Sequence, residues 1–91
     1  MSEIMFRSRV AAGAASGSER FPADVPGLRF ASARSNLWRV ATADGTVLGH
    51  IERVAAADGE RYLARRARPG LAHAIELGRF ATSRDAAEVF R

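Results

Sequence analysis

Residues 76–91 of this 91-residue chain read ELGRFATSRDAAEVFR, and the stretch changes period halfway along. Glu76 to Phe80 alternates as a strand does, whereas Ala86, Val89 and Phe90 fall at i, i+3 and i+4, the stripe of an amphipathic helix. Thr82 or Ser83 can accept a hydrogen bond from the first free helix amides, and with Thr82 the acid three residues on, Asp85, imitates a capping box. A helix of about 8 residues falls short of the 12–15 at which isolated helices are even marginal in water. It must lie on a surface, and the strand before it says that the surface is a sheet.

Working back from that stretch, LWRVATA at 37–43 is β-rich and leads into Asp44-Gly45, a dipeptide suited to a tight hairpin. TVLGHIERV at 46–54 is a second strand, Asp58-Gly59 a second turn and RYLARRAR at 61–68 a third strand. After Pro69-Gly70, LAHAIELGRF at 71–80 alternates well enough for a fourth strand or an extended return. The expected fold is α+β: a three- to four-stranded antiparallel meander over residues 34–91, packed on one short C-terminal helix. Residues 1–33 hold neither period, and AAGAASGSER followed by FPADVPG reads as a flexible N-terminal arm. Ile4, Met5 and Phe6 are its exception, three consecutive apolar residues able to dock.

Strand parity divides the residues between two faces. Trp38 and Val40, then Val47, Gly49 and Ile51, then Tyr62 and Ala64 share the face expected beneath the helix, with small Gly49 and Ala64 leaving room for its approach. Ile75, Leu77, Phe80, Val89 and Phe90 complete the expected core. The opposite parity carries Leu37, Arg39, Leu48, His50, Glu52, Arg61, Leu63 and Arg65. Arg39, Arg61 and Arg65 form a basic patch around His50, with Arg66 and Arg68 near the strand end and Arg53 supplementing it. A β-ribbon fits the DNA major groove, where arginine makes bidentate contacts to guanine or phosphate. Solvated strand faces also need polar side chains, and arginine stems cover apolar neighbours, so clustering alone favours recognition over a plain wet surface.

Composition sets outer bounds. One domain fits in this length, and Cys 0 excludes disulfides, thiolate nucleophiles and cysteine metal sites, making a cytoplasmic setting the default. No stretch approaches the roughly 18 apolar residues of a membrane span. Glu3 precedes Arg7 and Arg9, and the Ala/Gly run after them is too weakly apolar for an export signal. The net charge of +4 is compatible with a nucleic-acid partner, but all 14 basic residues are arginine, a bias expected of a GC-rich bacterial genome that inflates the pI.

No catalytic constellation is legible, so a non-enzyme is expected. His50 and His73 are the only histidines, without a spaced metal-ligand set, and the glycines of GTVLGH lie inside a strand rather than between strand and helix. Neither a metal nor a small-molecule cofactor is expected.

The succession Trp38-Arg39-Val40, Asp44-Gly45, Arg61-Tyr62-Leu63-Ala64-Arg65, Gly78-Arg79-Phe80-Ala81-Thr82-Ser83 and Asp85-Ala86-Ala87 resembles the arm-type DNA-binding domains at the front of tyrosine recombinases. It is also similar to plant AP2-type domains and to small actinobacterial proteins built on the same pattern. The resemblance covers residues 37–91, and LAHAIELG at 71–78 is additional to the family pattern. It implies three antiparallel strands on a C-terminal helix, duplex DNA as partner, and an open sheet face that reads it through Arg39, Arg61 and Arg65. The candidate DNA-binding set is therefore Arg39, His50, Arg53, Arg61, Arg65 and Arg66. The alternative is a protein-interaction or self-associating module, which pairs through Leu37, Leu48 and Leu63 or through a strand edge.

Overall fold

In a computed structural model, which describes residues 19–68, 70 and 73–91, five strands form one antiparallel meander. They are β1 (Leu28–Arg34), β2 (Leu37–Thr42), β3 (Val47–Ala56), β4 (Gly59–Arg66) and β5 (Ile75–Phe80), followed by helix α1 (Ser83–Glu88). The α+β class and the meander on a short C-terminal helix agree with the sequence reading, with one strand more than expected. The additional strand is β1, which lies at the sheet edge beside β2.

The expected boundary between arm and domain therefore moves towards the N-terminus. LRFASAR alternates Leu28, Phe30 and Ser32 with Arg29 and Ala31, and Leu28 N–H bonds back to Val25 O at 3.1 Å to close the turn into the strand. Phe21 and Val25 are buried at 4% and 1% exposure. Phe21 stacks on Phe30 with centroids 4.2 Å apart and meets Trp38 edge-on at 5.3 Å, while the Trp38 indole donates to Glu19 O at 2.8 Å. Residues 19–33 are thus part of the folded unit, because two aromatics and a valine bury more apolar surface than a free tail can forgo. Ile4, Met5 and Phe6 lie outside the described residues.

The core is a single layer between sheet and cover. Trp38, Val40, Ile51 and Ala64 face Ala86, Ala87 and Phe90, with Phe21 and Val25 beside the helix. Thr82 is the N-cap, its hydroxyl accepting from Asp85 N–H at 3.1 Å. The helix is stitched to the preceding segment by Ser83 Oγ donating to Pro22 O at 3.3 Å and by Arg84 donating to Asp24 O at 3.0 Å.

Two β-bulges shift the expected parity. Val40 pairs with Gly49 but Ala41 with Val47, so Leu48 is the extra residue: it packs against the core while Val47 is 45% exposed. Expected assignments of Val47 to the core and Leu48 to the open face are therefore exchanged. In β5, Ala64 pairs with Gly78 and Arg65 with Glu76, leaving Leu77 as the extra, core-packed residue and Ile75 40% exposed instead of buried.

Gly49 is the point of closest approach. A Cβ there would overlap the Arg65 carbonyl oxygen and lie 2.8 Å from Phe90 Cε1 and 2.9 Å from Arg66 Cα. Since backbone on the neighbouring strand cannot swing away, Gly49→Ala should lower stability by about 3 kcal/mol or more, measured by urea unfolding. Phe21→Ala should cost a further, separate amount of about 3 kcal/mol. An unchanged midpoint for Phe21→Ala would return residues 19–25 to a free arm.

Candidate functional site

With α1 and residues 19–27 on one side, the other face of the sheet is open, and strand register sets its rows. The central row runs Ala31, Arg39, His50, Arg65, Glu76 across β1 to β5, each directly opposite the next. The neighbouring row runs Leu37, Glu52, Leu63, Arg79 across β2 to β5. Val54 and Arg61 form a pair beyond it, and Arg29 stands opposite Ala41 at the other end. Directly opposed Cβ atoms in an antiparallel pair are about 4.5–5.5 Å apart, so Arg39, His50 and Arg65 stand side by side.

Four of the six candidate residues share this face: Arg39, His50, Arg61 and Arg65. Arg53 does not. It pairs with Tyr62 on the core side, its guanidinium 5.2 Å above the Trp38 ring, 2.6 Å from Glu19 Oε1 and donating to Asn36 Oδ1 at 2.7 and 3.0 Å. The bond to Glu19 holds its proton more tightly than usual. Arg66 is also on the core side, opposite Gly49 and 5.6 Å from the Phe90 ring centroid. Both positions have the parity of Ile51 and Ala64, and a guanidinium is suited to that rim because it stacks on aromatics while its edge stays wet. Arg68, just past β4, is exposed.

The open-face arginines differ in what already engages them. Arg61 makes a fork with both Asp58 carboxylate oxygens at 2.9 and 3.0 Å, and Arg65 reaches Glu52 Oε1 at 3.1 Å. Glu52 also has Arg34 at 3.6 Å. Arg39 and Arg79 are exposed and form no ion pair with a described residue. Sequence reading passed over Arg79 and Arg29. Arg79 follows the bulge residue Leu77, and the face of Phe80 fixes its own; Arg29 fell in the segment read as arm.

Leu63 is buried at 3% although it is on the open face, between Glu52 and Arg79 in its row. The expected contact surface of Leu37, Leu48 and Leu63 is thus dismantled: Leu48 faces the core, Leu63 is covered, and Leu37 is only half-exposed. At the β1–β2 end, a shallow hollow of about 250 Å³ is lined by Arg29, Ala31, Arg39, Ala41 and Gly45. A larger groove of about 810 Å³ lies between Glu19–Asp24 and the β1 residues Leu28, Phe30 and Ser32, on the covered side. Among the described residues, no group of three or more His, Cys, Asp or Glu comes together as a metal-ligand set, and no helix is long and apolar enough to cross a membrane.

Comparison with protein-family models, with curated protein sequences and with solved structures returns no match.

His50 is held below the ordinary histidine pKa of 6.5, first by burial, then by the positive charges of Arg39 and Arg65. It is therefore neutral at pH 7. In an Arg39→Gln variant, the His50 pKa measured by ring-proton NMR should rise towards 6.5 without reaching it, because burial, the larger cause, remains. No movement would mean that the Arg39 guanidinium stands away from the ring.

Proposed function

We propose that the chain is a small, non-catalytic DNA-binding module that presents the open face of its sheet to duplex DNA. The observation that carries this reading is the row Arg39, His50, Arg65, flanked by Arg79, Arg61 and Arg29, on the face that neither α1 nor residues 19–27 cover. The six arginines on this face, Arg34 opposite Leu37 included, outnumber its two acids, Glu52 and Glu76, and Glu52 is already engaged by Arg65 and Arg34. The major groove admits a two-stranded ribbon, so part of the five-stranded sheet enters it while the flanking strands lie over the backbone, and Arg39 and Arg79, which form no ion pair with a described residue, reach base edges or phosphates.

The resemblance to arm-type and AP2-type domains supports the same face, with the set revised to Arg39, His50, Arg61, Arg65, Arg79 and Arg29. Arg53 and Arg66 serve the core rim instead. Binding should weaken linearly in log K against log salt, with a slope of about 0.9 per phosphate neutralised. Arg39→Ala combined with Arg79→Ala should reduce the magnitude of that slope by about 2 and leave the unfolding midpoint within about 0.5 kcal/mol, since both side chains are exposed. Fluorescence anisotropy with a mixed-sequence duplex reads the first quantity and urea unfolding the second. Salt-independent binding, or none at low salt, would remove the proposal.

A second reading, self-association, has its own support in β1 and β5, which are the two sheet edges, and in exposed Val47 and Ile75. Sedimentation velocity at micromolar concentration separates the two readings. A dimer abolished by Ile75→Lys, in a chain that ignores DNA, favours the second. Leu63→Asp cannot serve this purpose, because a charge at a buried position tests folding.

A further inference from the structure

We infer that the cross-strand row Arg39, His50, Arg65 is a phosphate-binding site that takes up a proton at His50 when it is filled. The inference deepens the DNA reading and rests on it for the source of the phosphate, a backbone phosphodiester. Three neighbouring strands each contribute one side chain, in direct opposition, to a single line on the open face. Arg39 brings from β2 a guanidinium with no ion-pair partner among the described residues, and Arg65 brings one from β4 that shares its charge with Glu52. His50, between them on β3, is half-buried.

The charged groups around His50 are Arg39 from β2, Arg65 from β4, Glu52 two residues along its own strand, and Glu76 of β5 beyond Arg65 in the same row. The helix lies on the opposite face and contributes none. Without ligand, the two guanidiniums and burial disfavour the imidazolium, and the nearest carboxylate, Glu52, is drawn towards Arg65 and Arg34. A tetrahedral anion seated across the row reverses the sign of that environment. It neutralises the arginines that repel a proton and offers oxygens to the ring N–H groups, since both nitrogens donate in the imidazolium.

The direction of the linkage follows. Anion binding raises the pKa of His50 from below 6.5, so the complex holds one proton more than its separated parts between the free and bound values. Affinity therefore grows as pH falls through that window, by at most about tenfold per pH unit for one proton, and levels off below the free pKa. Above the bound value it is again independent of His50.

The test is an NMR titration of both histidine rings in the full chain, with His73, exposed and outside the row, as internal reference. It is run free, with a mixed-sequence duplex, and with sodium sulfate against sodium chloride of equal ionic strength; sulfate remains a dianion throughout the range. The expected result is a rise of about one unit or more at His50 with either ligand, larger than any change at the reference ring. His50→Asn should abolish the pH dependence of duplex affinity across that window. A duplex that shifts the amides of β2–β4 while His50 titrates as before overturns the inference and leaves the DNA surface standing. Sulfate raising His50 in a chain that ignores duplex keeps the proton-linked anion site and removes the DNA reading. If neither ligand moves His50 and no duplex binds, both fall.

Discussion

The absence of a side chain at Gly49 is the constraint on which the two-layer arrangement depends. At that position the Arg65 carbonyl, the Arg66 Cα and the Phe90 ring converge on space that one methyl group would fill. Phe90 can therefore descend to the sheet, and a helix of six residues, too short to persist alone, gains its stability from burial of Ala86, Ala87 and Phe90. The helix cannot cover the whole face. Phe21 and Val25 close the remainder over Trp38 and Phe30, and the bonds from Ser83 and Arg84 join the two halves of the cover.

Sealing one face decides the character of the other. Alternation sends Arg39, His50, Arg61, Leu63 and Arg65 away from the cover wherever Trp38, Ile51, Tyr62 and Ala64 go towards it. The basic row is a consequence of register: Arg39 meets His50 and His50 meets Arg65 because Trp38 meets Ile51 and Ile51 meets Ala64. A slip of one residue would bury the arginines and expose the core, so the same packing energy that holds the fold holds the candidate site together.

The sequence was most readable where its period was uninterrupted. Trp38 and Val40, Ile51, Ala64 and the Ala86 to Phe90 stripe were all assigned to the correct side, and Thr82 was recognised as a possible cap. The errors came from two physical sources. At Leu48 a bulge adds one residue to β3 without any local composition to announce it and exchanges the faces of Val47 and Leu48, whereas Ile75 keeps the core-side parity of its partner Arg66 but is exposed at the start of the edge strand β5. In residues 19–33, Pro22, Pro26 and Gly27 looked like the punctuation of a loop, although Leu28, Phe30 and Ser32 alternate with Arg29 and Ala31 immediately afterwards. The burial of Phe21 and Val25 is long-range, and no window along the chain contains it.

Arginine content was a poor guide to the site for a related reason. With no lysine in the chain, guanidinium groups serve both as core rim and as open surface. Arg53 covers Trp38 and is tied to Glu19 and Asn36, and Arg66 lies against Phe90; each does there what a long amphipathic side chain does at the edge of any apolar layer. Arg61 and Arg65 carry carboxylate partners, whereas Arg39 and Arg79 have none among the described residues. Ion pairs at such exposure contribute about 1 kcal/mol or less, so a phosphate can displace Glu52 or Asp58 at small cost. What distinguishes a recognition surface from a wet strand face is therefore the placement of cations that are unpaired or weakly paired in one register line. The net charge of +4 contains no such information, because it counts Arg53 and Arg39 alike.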